Sequence, residues 1–173
     1  MTAVGDAMII DVVDQADTPV GVIPRAEVFQ KHANFRVSHV FIFNSRGELL
    51  LQRLALNRHR NPGTWGSSVA SYLFSSEDYL QAAQRRVRQE LGISDFLLFP
   101  LGKTEMVDDG CLKFISVFQS FNEGPFNYDP SHIDQVEFVS IPEIRRMIAS
   151  GSRIFTPTFL QVFRFYRSLR SAE

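Results

Sequence analysis

Apolar and polar positions change period several times along the chain, and each change predicts an element. Met8-Ile9-Ile10-Asp11-Val12-Val13 and Val20-Gly21-Val22-Ile23 are β-branched runs on either side of a polar stretch, Asp14 to Pro19. They predict a hairpin that Pro24 ends. Arg25 to Lys31 predicts a short helical turn. Val37 to Phe43 and Glu48 to Arg53 flank Asn44-Ser45-Arg46-Gly47, a turn signal that predicts a second hairpin. The basic loop Asn57 to Thr64 turns at Pro62-Gly63 and leads to a short strand from Trp65 through Val69. Later, Phe96 to Leu101 and Leu112 to Phe121 read as strands separated by Asp108-Asp109-Gly110, and Asn122 to Pro130 as a loop. Val136 to Val139 is the last strand expected.

Three stretches follow helical spacing instead. In the first, Ser75 is the expected N-cap with Asp78 three residues on, Gly92 is the expected left-handed stop, and Leu80, Ala83, Val87 and Leu91 form the apolar stripe. Arg86 and Glu90 are four apart and share a face, with Gln89 beside them. Ile141-Pro142-Glu143 opens a second helix that Gly151 stops, and Thr156-Pro157 caps a third. Along that last helix Phe159, Val162, Phe163 and Tyr166 face inward while Arg164, Arg167 and Arg170 lie on another side. Strands interleaved with these helices predict an α/β architecture with a mixed sheet between helices.

Composition narrows the class. With 173 residues, 45% hydrophobic and 21% charged, the chain suits one domain, residues 1–173, with a sizeable core. A formal net charge of -1 argues against a nucleic-acid polymer as partner. No apolar run reaches the roughly 18 residues of a spanning helix, so no membrane partner is expected. The one cysteine, Cys111, cannot form an internal disulfide, and the N-terminus carries Asp6, Asp11 and Asp14 without the basic n-region of a signal peptide. A cytoplasmic location is the resulting expectation.

The stretch from Ser71 to Ile93 resembles the Nudix box, G-x5-E-x7-R-E-U-x-E-E-x-G-U with U a bulky aliphatic residue. Glu77, Arg85, Val87, Glu90, Gly92 and Ile93 match, whereas Ser71, Arg86 and Gln89 replace a Gly and two Glu. The resemblance implies a Nudix α/β/α sandwich and a phosphate site in which carboxylates hold Mg²⁺ or Mn²⁺ against a diphosphate. Glu90 and Glu77 are then the catalytic and metal-binding candidates, completed by Glu105, Asp108 or Glu123. Read from spacing alone, Arg86 with Glu90 is equally an i,i+4 surface pair, and Glu77 with Arg85 a tie between loop and helix.

Other segments resemble type I isopentenyl-diphosphate isomerases, which share the Nudix-like fold. They are His32 and His39 seven apart, the hairpin Asn44 to Arg53, Pro62-Gly63-Thr64-Trp65, Arg85 to Ile93, and Phe155-Thr156-Pro157. This resemblance implies diphosphate contacts from Arg58 and Arg86, with Arg53 one residue before a third basic position, and a metal role for His32 and His39. His39 also reads as a hydrogen-bonded framework residue. The family's C-G-H motif is Ala70-Ser71-Tyr72 here, and its E-x-E pair falls near Cys111 and Lys113. Isomerisation needs an acid/base pair on opposite sides of the alkene, so the loss of both groups argues against it. Two expectations stand: a hydrolase of diphosphate-linked small molecules, either nucleoside diphosphate derivatives or organic diphosphates, and a non-catalytic module that binds such a diphosphate with arginines.

Overall fold

The computed structural model describes residues 8–171; Asp6 lies outside them. β1 (Ile9–Val13) and β2 (Pro19–Pro24) form the expected antiparallel hairpin, and Arg25–Glu27 is one 3-10 turn. The other strands are β3 (Phe35–Phe43), β4 (Leu49–Leu54), β5 (Trp65–Gly66), β6 (Val69–Tyr72), β7 (Phe99–Asp108), β8 (Cys111–Phe121) and β9 (Ile133–Val139). They make one mixed seven-stranded sheet, in which β3 and β8 run parallel and the remaining pairs are antiparallel. The helices are α1 (Tyr79–Leu91), α2 (Ile141–Ser150) and α3 (Pro157–Arg170).

The sheet is forked. β3 and β4 meet only at Phe43 and Leu49, although the turn between them is where the sequence puts it. From there β3 pairs with β6 and β8, while β4 pairs with β5 and β9. Ser68 bridges the fork: its hydroxyl accepts from Ile42 N (2.9 Å) and donates to Leu50 O (2.6 Å). The expected strand from Trp65 to Val69 is thereby split in two, because Ser67 and Ser68 carry the chain from one prong to the other. β7 also begins later than expected and runs on to Asp108, leaving Asp109 and Gly110, both at positive φ, as its turn into β8.

Alternation along β3 and β4 divides the core. Phe35, Val37, Phe41, Phe43, Leu49 and Leu51 pack with Ile144 of α2 and with Phe159, Val162, Phe163 and Tyr166 of α3. Val40, Ile42 and Leu50 instead meet Ala83, Val87 and Leu91 of α1, with Val69, Phe118 and Ile133 around them. The sheet thus lies between helical layers. Thr156 caps α3 as predicted and Ser140 caps α2, with proline in the first turn of each.

Helix α1 starts differently from the sequence expectation. Its N-cap is Asp78, which accepts from Gln81 N while Gln81 Oε1 accepts from Asp78 N, a reciprocal capping box. Ser75 is drawn away, since its hydroxyl donates to Asp11 of β1 (2.8 Å). The buried face also turns relative to the expected stripe. Ala82, Ala83, Val87, Glu90 and Leu91 are buried, whereas Leu80 is exposed. Gly92 ends the helix with φ at 65°. A Cβ there would lie 2.8 Å from Asn127 O, so conformation and space both require glycine.

Candidate functional site

The loop before α1 is fixed by one bidentate ion pair. Arg85 Nε and Nη2 donate to Glu77 Oε2 and Oε1, both at 2.9 Å, and Glu77 Oε1 also accepts from Phe74 N (2.6 Å). Arg85 continues to Tyr72 O (3.1 Å) and Ser71 Oγ (3.3 Å), with its guanidinium 3.8 Å from the Phe74 ring centroid. Both Glu77 oxygens are therefore committed, and the residue ties loop to helix.

One turn further along, Glu90 is only 6% exposed, and Arg86 Nε lies 2.5 Å from its Oε1. The two residues line a cavity of about 220 Å³ with Gln89, Asp129, His132 and Ile133. Its far wall comes from the segment entering β9. Arg58, on the basic loop, donates from Nη1 to His132 Nδ1 (2.9 Å). Burial pulls the Arg58 guanidinium below its ordinary value; Arg86 and Arg25 act the same way, and the Glu90 carboxylate opposes them. Arg58, Arg86 and Glu90 consequently share one electrostatic environment. Guanidinium forks match phosphate oxygens, so this corner suits an anionic ligand.

The remaining candidates lie elsewhere. Arg53 donates to Gly63 O and to Asp134 Oδ2, both at 3.1 Å, pinning the basic loop to β9, and it is not among the cavity residues. His39 is buried within β3, with Nδ1 2.8 Å from Ser67 Oγ; burial, aided by the Lys113 charge, pushes its pKa down to about 3. His32 is exposed at a positive φ of 50°, next to Gly110. Glu123 accepts from Ser45 N, Glu105 lies along β7, and Asp108 pairs with Lys113 (2.6 Å) and Arg60 (3.0 Å). Among the described residues, no three His, Cys, Asp or Glu side chains gather where a metal could be held by them alone.

A second polar cluster gathers around Lys113 and Tyr72. Lys113 Nζ reaches Asp108 and Thr158 Oγ1 (2.7 Å), and Tyr72 stacks on Phe35 with centroids 5.3 Å apart. Burial lowers the Lys113 pKa although Asp108 opposes it. Tyr72 and Lys113 stand where the isomerase resemblance would put a histidine and a carboxylate. They form part of an internally paired group instead.

The match to a protein-family model, the NUDIX domain, covers residues 33–159 and takes in both walls of the cavity. The chain belongs to the Nudix family. An uncharacterized Nudix hydrolase of Pseudomonas aeruginosa is 31% identical over 164 residues, spanning 95% of this chain and 96% of that protein. An isopentenyl-diphosphate Delta-isomerase of Pectobacterium atrosepticum is 29% identical over 169 residues, 93% of this chain and 94% of its own. In structure, DR0079 from Deinococcus radiodurans superposes with a TM-score of 0.81 at 22% identity, covering 90% of this chain and 97% of its own. The Nudix fold and the likeness to proteins named as isomerases thus agree with the sequence reading. Asp129 and His132 were not singled out there. Their signal is slight, a polar Asp-Pro-Ser-His run at the end of a loop.

Proposed function

We propose that this Nudix protein hydrolyses a diphosphate-linked small molecule, a nucleoside diphosphate derivative or an organic diphosphate, in the cavity between α1 and the segment entering β9. The observation that carries the reading is that Arg86 and Glu90 line that cavity while Arg58 is bonded to its wall residue His132. The two guanidiniums bind and orient the phosphates, and Glu77 contributes by holding the preceding loop through Arg85. Arg53 holds the Arg58 loop to β9, while His39 serves the framework. A cytoplasmic setting belongs to the same reading, since the one thiol is buried and unpaired.

Nudix hydrolases generally use a divalent metal ion. Mg²⁺ is commonly held by one or two carboxylates together with substrate phosphates, and the donors here fit an ion that arrives in that way. Glu90 would hold Mg²⁺ or Mn²⁺, and the ion would offset phosphate charge. The absence of two box carboxylates implies slow or narrow turnover.

Phosphate release from a panel of nucleoside and organic diphosphates, with Mg²⁺ or Mn²⁺, tests the reading. Glu90→Gln is expected to lose about 100-fold or more in rate; equal rates in wild type and variant overturn it. The Arg86–Glu90 contact favours a second reading, a non-catalytic module that binds the diphosphate by arginine alone. That reading expects diphosphate to raise Tm in chelator, with the shift lost in Arg58→Ala and Arg86→Ala.

A further inference from the structure

His132 is held in the cavity wall by its backbone. Its carbonyl accepts from Ala55 N (3.1 Å), its amide donates to Asp129 O (3.0 Å), and Ile133 N donates to the same oxygen (2.9 Å). These are all backbone bonds, and the imidazole makes a separate contact of its own. Guanidinium nitrogens can only donate, so Nδ1 accepts the bond from Arg58, and the neutral ring carries its proton on Nε2. Nε2 is 3.9 Å from Asp129 Oδ2, beyond hydrogen-bonding distance, and the side chain is 49% accessible.

We propose that His132 is a phosphate-binding residue of this cavity, acting through both ring nitrogens. Nε2–H donates to a phosphate oxygen, and Nδ1 keeps the Arg58 guanidinium beside the same group. This rests on the reading of the cavity as a diphosphate site and extends it to a residue that the Nudix box does not contain. The bound group is a compact diphosphate. The cavity has a volume of about 220 Å³. His132 is not the base that activates water, because in the neutral ring the nitrogen free to face the ligand already bears hydrogen.

Calorimetric titration with methylenediphosphonate, which cannot be hydrolysed, tests this on the full chain. His132→Ala removes both interactions and is expected to weaken binding about 30-fold. His132→Asn places an amide oxygen near the Nδ1 position and His132→Gln an amide nitrogen near Nε2; each is expected to lose about tenfold. Nitrogen-15 NMR of the imidazole separates a ligand contact from a merely structural role: the Nε2 resonance is expected to move on saturation. Binding of His132→Ala within about twofold of wild type, or an unmoved Nε2 signal, overturns the inference while leaving the cavity reading intact. If wild type does not bind methylenediphosphonate at all, the cavity reading fails and this inference fails with it.

Discussion

Arg86 Nε is 2.5 Å from Glu90 Oε1, so the helix carboxylate best placed for chemistry already carries a counter-ion one turn away. Any metal at Glu90 must compete with that guanidinium, and a bound phosphate would draw the guanidinium off. Arg86→Gln is therefore expected to tighten Mn²⁺ binding about tenfold, measured by the loss of free-ion paramagnetic resonance signal, and to weaken diphosphate binding by a similar factor. Unchanged Mn²⁺ affinity would show that the pair does not guard the carboxylate.

The Glu77–Arg85 pair makes a different claim, about stability. Side-chain exposures of 17% and 18% make it largely buried, and it satisfies the Phe74 amide and the Tyr72 carbonyl as well. Removing one partner leaves the other charge poorly solvated, so Arg85→Met is expected to destabilise by about 3 kcal/mol in urea unfolding. Arg85→Lys should recover little, because an ammonium cannot reproduce the forked contact. A loss below about 0.5 kcal/mol would class the pair with ordinary surface bridges.

His39 sets a pH dependence. Its folded pKa of about 3 lies below its ordinary 6.5, because burial and Lys113 disfavour the charged ring. Its stability contribution is thus complete above pH 6.5 and is lost as the pH falls from 6.5 toward 3. Within that window the unfolded chain takes up a proton that the folded one refuses, at about 1.4 kcal/mol per pH unit. Wild type should lose about 2 kcal/mol from this residue between pH 7 and pH 5, and His39→Asn should flatten the slope. Parallel slopes for the two proteins would place the protonation elsewhere.

Much of this fold is written locally. Ser140 with Pro142, Thr156 with Pro157, and Gly92 and Gly151 mark helix ends through contacts within a few residues. Sequence pattern and structure part where distant contacts compete. Asp11 takes the Ser75 hydroxyl, so Asp78 becomes the cap of α1. Glu90 is buried with Arg86 paired to its carboxylate while Leu80 is exposed, an exchange that hydrophobic spacing alone does not encode. The turn at Asn44 to Gly47 is legible, but the ladder expected beyond it is replaced by pairings with β5, β6, β8 and β9. At the site, Arg86 and Glu90 are visible as neighbours on one helix face, and Arg58 through family likeness. His132 meets Arg58 from 74 residues away, and spacing carries no record of that meeting.

The parallel pairing of β3 with β8 bears on the order in which the molecule comes together. Leu112 N donates to Asn34 Oδ1 at its start, across a separation of 78 residues. Contacts that close so long a loop form slowly, whereas a capped helix forms on its own timescale. An α1 that is helical early still lacks its seat on Phe118 and Ile133 until that loop has closed and β9 has followed. Arg58 meets His132 only at that stage, so the proposed anion site is assembled by the completed fold and not by the helix alone.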